Sequence, residues 1–377
     1  MYDYLREAER AAVRFDGQVS VFDLRDDLRK DPIQPGVHSA EYSELFDDRT
    51  RKSTAMCGGC HDIRTPNGVH LERTFEEYRA GIFSKVATGD TAEDASPFDT
   101  CAGCHMPGHE EVIATAPAGA PKRMLHEHLW PGVDLALTDF PGKDAMRSAV
   151  EDCQFGATSF SFFKLEVTPP DIFTFQLETN AGHNQPSGAA EDRRLWLEFA
   201  AYDDNGQLLR EVSSGLIEDH EQEEWPASDP RHDPRLLMFR DHLFDAQGKE
   251  VHMFWEAAKS NAHPLGFESK ALPVATTTYI EGKHALVKQY RASSSGQLPA
   301  RVTARMRMRP VGQDVLQDLV ASGDLDPAVA TKMQTLSFGT QLEWTRQDGV
   351  NKLISATPKS DCSTYRCLLD PNASGCQ

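Results

Sequence analysis

Two short segments constrain this chain more than anything else in it: Cys57-Gly58-Gly59-Cys60-His61 and Cys101-Ala102-Gly103-Cys104-His105. In each, two residues separate a pair of cysteines and a histidine follows at once. Random placement of 8 cysteines and 14 histidines along 377 residues would give well under one such segment. The spacing has a chemical cause. Two intervening residues let both sulfurs reach one edge of a macrocycle, where each closes on a vinyl group, and the adjacent histidine swings its imidazole beneath the metal. The pattern therefore predicts two covalently bound haem c groups. Cys57, Cys60, Cys101 and Cys104 are the expected attachment points, and His61 and His105 the expected proximal iron ligands. Zinc is the weaker reading, because a paired-cysteine zinc site does not require a histidine directly after the second thiol. A thioredoxin-like redox motif would need a surrounding βαβ pattern, which the sequence does not offer.

At 377 residues the chain is long for one core, and two domains are the natural expectation. No stretch approaches the roughly 18 consecutive apolar residues that a membrane helix needs. Lys and Arg number 39 against 58 Asp and Glu, a net charge of -19, the wrong sign for gripping a phosphate backbone. Nucleic acid is thus not an expected partner. Covalent haem and disulfides both belong outside the reducing cytosol, so a periplasmic or extracellular location is expected. The stretch from Met1 to Arg14 has no apolar core of a signal peptide. The expectation is that a leader lies upstream of this numbering.

Two modules are expected. Residues 1–148 carry both motifs, turn chemistry such as Thr65-Pro66-Asn67-Gly68, and one helix over Leu71 to Ile82, where Phe75, Tyr78 and Ile82 recur at helical spacing. This reads as a loop- and helix-rich dihaem module. Over residues 149–377 the period changes to two. Phe163 to Val167 and Phe173 to Leu177 alternate as half-buried antiparallel strands, and a third sets Leu195, Leu197, Phe199 and Ala201 on one face. Asp203-Asp204-Asn205-Gly206 and Asp245-Ala246-Gln247-Gly248 read as hairpin turns, the second leading into a strand from Val251 to Trp255. Residues 301–309 alternate apolar side chains with Arg301, Arg305, Arg307 and Arg309. That basic stripe is expected to be a solvated face, with haem propionates as the competing partner. A helical insertion near 313–333 begins its second piece at Asp326-Pro327, an N-cap followed by proline at the first helical position. The fold class expected is therefore multidomain α+β: the dihaem module followed by a mainly antiparallel β-sandwich. The acidic run from Glu218 to Glu224 reads as solvated loop. Cys153 and the tail cysteines Cys362, Cys367 and Cys376 are expected to form two disulfides, in any of three pairings.

Several of these segments together resemble the multihaem c-type cytochromes. They are Cys57 to His61 with the following Asp-Ile-Arg-Thr-Pro-Asn-Gly-Val, Cys101 to His105 with Met106-Pro107, and His126-Glu127-His128-Leu129-Trp130-Pro131-Gly132. Ala181-Gly182-His183-Asn184-Gln185-Pro186-Ser187-Gly188, with Arg193 to Glu198, is similar to the β-domain that follows haem modules in that family. The resemblance spans residues from about 38 to 210. It departs from the family in number, since the family often carries four or more haems and two motifs stand here. The resemblance favours His128 and His183 as distal iron ligands, and His38 is a third candidate.

The sixth iron ligand separates an electron carrier from a catalyst. Abundant histidines outside the motifs, and no catalytic constellation beside them, favour two nitrogens on each iron and hence electron transfer, with no catalytic residues assigned. The alternatives are a haem enzyme, a peroxidase or small-molecule reductase with one open iron position, and a docking module for a redox partner. Redox partners with basic docking surfaces are expected from the acidic charge. Oligomers or additional haem subunits remain open.

Overall fold

The computed structural model describes residues 54–80, 101, 105, 108–111, 123–126, 132–156, 162–168, 171–178, 182–263, 285–292, 298–349 and 351–354. His38, Cys104, His128 and the tail cysteines lie outside the described residues, as does the side chain of Cys153.

The first motif opens the described chain. Helix α1, Thr54–Gly58, carries Cys57 at its end. Strands β1, Ile63–Arg64, and β2, His70–Glu72, form a small hairpin around the expected turn, where Gly68 N–H donates to the Thr65 carbonyl at 2.9 Å. Gly68 adopts φ +84°, which a Cβ would oppose. Helix α2, Thr74–Ala80, follows. The periodicity had suggested a start at Leu71, but β2 claims that residue by pairing Ile63 with Glu72 and Arg64 with His70. A second hairpin, β3 (Gly108–Glu111) with β4 (Arg123–His126), follows the second motif. Helix α3, Lys143–Gly156, runs through the position where the sequence suggests that the modules meet, and buries Ala149 and Val150.

The remainder is a two-sheet sandwich. Strands β5 (Phe162–Thr168), β6 (Ile172–Glu178), β7 (Arg194–Tyr202), β8 (Met238–Phe244), β9 (Glu250–Val251) and β10 (Lys259–His263) precede β11 (Ala285–Arg291) and β12 (Arg301–Arg309). Strands β13 (Leu336–Thr345) and β14 (Asn351–Ile354) close the described chain. One sheet has the order β10-β8-β7-β12-β13-β14, with β9 on β8; the other has the order β11-β6-β5, and all pairings are antiparallel. The sheets meet through aromatic rings. Phe199 of β7 stacks on Tyr290 of β11 at 4.7 Å between centroids and meets Phe173 and Phe175 of β6 at 5.8 and 5.5 Å. Such offset and edge contacts add to the burial of apolar area that drives the sheets together.

Helices α4 (Gln313–Ser322) and α5 (Pro327–Ala330) form the expected insertion, and Asp326 caps α5 by accepting from Ala328 N–H at 2.8 Å. Three expectations are corrected. The Asp245 turn makes the β8–β9 hairpin, but the strand after it stops at Val251, and Phe254 and Trp255 lie exposed in a turn. The arginine stripe of β12 is solvated only in part: Arg301 is 41% exposed by side chain, whereas Arg305 and Arg307 pair with Glu198 and Arg309 is 0% exposed. The acidic run is not wholly solvated either, because Glu223 turns inward to Arg309 and is 3% exposed. At Arg309 the loop between β7 and β8 covers a strand face that local alternation would leave to water, while Arg305 and Arg307 are met by Glu198 of the neighbouring strand β7.

Candidate functional site

Cys57 and Cys60 occupy one helical turn. Cys60 N–H and His61 N–H both donate to the Cys57 carbonyl, at 3.0 and 2.8 Å, so the two cysteines stand three residues apart on one side of a closed turn. Gly58 lies within that turn because Phe75 of α2 packs on it: a Cβ there would fall 2.5 Å from the ring. Phe75 N–H also donates to the His61 carbonyl at 3.1 Å. The first motif is thereby fastened to α2.

His61 donates from Nδ1 to the Glu72 carboxylate at 2.9 Å. This hydrogen bond raises the imidazole above its ordinary pKa, against the effect of burial. It also assigns the nitrogens: with Nδ1 turned to Glu72, Nε2 is the one suited to a metal, the arrangement by which an outer carboxylate orients a ligating histidine. His70 is used differently. Its Nε2 meets Asp62, and its Nδ1 meets Glu76 at 2.8 Å, so both nitrogens are held by the hairpin and α2.

The two motifs come together. The Cys57 thiol is hydrogen-bonded to Cys101, which lowers its pKa against the effect of burial, with His61 adding to the lowering. None of Cys57, Cys60 and Cys101 is in a disulfide. A lowered thiol pKa favours the nucleophilic thiolate.

His105 ends the second motif, and the structure sets His183 against it. Their ring centroids are 6.2 Å apart with the planes at 24°. His183 donates from Nδ1 to the Asn184 carbonyl at 2.8 Å, which again leaves Nε2 as the nitrogen suited to a metal. The segment carrying His183 rests on α2. Asn184 N–H and Ser187 Oγ–H donate to Glu77 Oε2 at 3.2 and 2.7 Å. Gly188 N–H donates to Thr74 Oγ1 at 3.0 Å, and the Thr74 and Ser187 hydroxyls are bonded at 2.7 Å. Arg73 joins α2 to β8 through Asp241 at 2.7 Å.

Of the residues expected from the sequence, Cys57, Cys60, Cys101, His61, His105 and His183 thus fall in one region around α2. Glu72, Thr74 and Glu77 were not anticipated. A signal exists for two of them: Thr74-x-x-Glu77 has the spacing of a helix capping box. Here the two side chains turn outward to residues 184–188, and Glu77 N–H donates to the Arg73 carbonyl at 2.8 Å instead.

No protein-family model and no curated protein matches the chain. Among solved structures it is similar to a penta-heme cytochrome c552 from Thermochromatium tepidum, with 19% identity and a TM-score of 0.42 over 79% of this chain. The chain spans 56% of the length of that protein.

Proposed function

We propose that this chain is a dihaem c-type cytochrome that relays electrons outside the cytoplasm. In this reading Cys57 with Cys60 and Cys101 with Cys104 would attach the two haems, His61 and His105 would be the proximal ligands, and His183 would be the second ligand of the iron that His105 holds. The observation that carries it is the spacing of the His105 and His183 rings. Two imidazoles at such a separation would have room to hold one haem iron between them, and the haem would supply the redox couple. The centroids stand at 6.2 Å. Both His61 and His183 have Nδ1 engaged by an oxygen, so their geometry suits coordination through Nε2.

When bound, haem iron supplies a one-electron couple that needs no change of ligands. The chain's part is to hold the axial nitrogens, keep the thiols adjacent and cover the site. Two nitrogens on an iron leave no position for peroxide or another substrate, which favours relay over catalysis. The contact between Cys57 and Cys101 supports close placement of the two attachment sites. The net charge of -19 suits basic partners, whose association would be steered at long range and weakened by salt.

The test combines mass and spectrum. Denatured protein from a strain competent in haem attachment should exceed the polypeptide mass by two haems. Its native oxidised spectrum should be low-spin at both irons, and His183→Ala should turn one of them high-spin. A polypeptide-only mass, or a native high-spin iron with peroxide turnover, would overturn the proposal.

A further inference from the structure

We infer that Glu77 is a positioning residue for the iron held by His105 and His183, an inference that rests on the function proposed above. Glu77 is 8% exposed and lies on the helix that follows the first haem motif, yet its carboxylate serves the segment beside the second. Oε2 accepts from both Asn184 N–H and Ser187 Oγ–H, while Oε1 faces Arg73 Nε at 3.7 Å.

The position of these bonds matters more than their number. Asn184 directly follows His183 and is held at both of its backbone groups, its N–H by Glu77 and its carbonyl by His183 Nδ1. The orientation of the imidazole is therefore referred to Glu77 through a single residue. Thr74, one turn earlier on α2, fixes the other end of the segment through Ser187 and Gly188. Helix α2 itself is held on two sides, by Phe75 against Gly58 and by Arg73 on Asp241. A ligand segment without regular structure is thus referenced to a fixed helix.

A carboxylate suits this task. Its oxygens only accept, so it can take two donors on one oxygen, and charge-assisted bonds of this kind are stronger than neutral ones. Removing it takes the acceptor from the buried Asn184 N–H and leaves the Ser187 hydroxyl only Thr74 to turn to, which loosens the hold of α2 on the segment. Movement there would shift the His183 ring relative to that of His105.

The experiment compares Glu77→Ala, Glu77→Gln and His183→Ala in the haem-loaded protein. Loss of an outer-shell partner commonly weakens metal ligation by about 10- to 100-fold. Carbon monoxide should therefore bind one reduced haem at least about tenfold faster in Glu77→Ala than in the parent. That haem should also show a mixed high- and low-spin oxidised spectrum that added imidazole restores to low-spin. The other haem should keep its parental spectrum, which a general loss of folding would not allow. Where Glu77→Ala fails to accumulate, Glu77→Gln is read by the same signals, since it keeps the shape and loses the charge. Parental carbon monoxide binding and spin state in the Glu77 variants, with His183→Ala high-spin, would overturn the role of Glu77 and leave the proposed function standing. If His183→Ala is low-spin at both irons, the ligand assignment itself fails and the role of Glu77 falls with it.

Discussion

Glu191 is a carboxyl that burial pushes up to about 8, and Asp192 and Asp241 add to the shift while its own backbone hydrogen bond and Arg193 oppose it. It is 7% exposed, and its Oε2 has no hydrogen-bond partner. A raised carboxyl pKa means that the folded protein holds a proton which the unfolded chain releases near its ordinary 4.5. The contribution to stability is complete below about 4.5, declines as pH rises, and is gone above about 8. Glu191→Gln keeps the neutral shape at every pH. Unfolding free energies from urea titrations between pH 5 and 8 should fall less in this variant than in the parent, by an amount on the order of a few kcal/mol. Equal slopes would refute the assignment. His252 acts in the same direction, because its hydrogen bond to Asp314 raises the imidazole against burial and its stabilising charge is lost as pH rises. The difference between parent and Glu191→Gln isolates the carboxyl. At this scale the motif residues were legible because the covalent attachment proposed for them would demand that they be adjacent in sequence. His183 entered only through resemblance, and nothing in its spacing tied it to His105. Glu77 was hidden because its acceptor role depends on residues more than a hundred positions away, which no local pattern encodes.

Strands β6, β7 and β12 follow the alternation that predicts them, since each has one face against a shared aromatic core. What covers the second face of β12 was not legible. Alternation marks polar positions but does not distinguish water from a covering loop, and here the loop between β7 and β8 brings Glu223 to Arg309. The Arg309 guanidinium also donates to the carbonyls of Glu218 and Glu221 and to Thr335 Oγ1. Burial raises the Glu223 carboxyl, and the charges of Arg309 and Arg194 work against that. Removing one partner of such a pair leaves a buried charge uncompensated. Glu223→Ala should therefore lower unfolding stability by about 3 to 5 kcal/mol in urea titrations. Arg301→Ala, at a strand end 41% exposed by side chain and paired to Glu343 at 3.2 Å, is the matched control. It should cost about 1 kcal/mol or less. Similar losses for the two variants would refute the distinction drawn between buried and exposed members of one stripe.

For the molecule as a whole, the bonds between α2 and residues 184–188 join segments 107 to 114 residues apart. The hairpin and turn that carry His61 close over a few residues. Local contacts form early and long closures late, because the chain entropy of closing them is lost before any contact repays it. The order of assembly is thereby written into the topology. The peptide around the first motif can take shape by itself, whereas His183 arrives only after the sandwich has brought its segment back to α2. In refolding from denaturant with both haems attached, one iron should pass through a high-spin stage after the backbone circular dichroism has begun to recover, and become low-spin with the slower phase. Simultaneous appearance of both low-spin signals in the fastest phase would contradict this order. On the proposed function the interval is a period of vulnerability: until the distant segment docks, the iron that His105 would hold stands open on one side to any small ligand the surroundings supply.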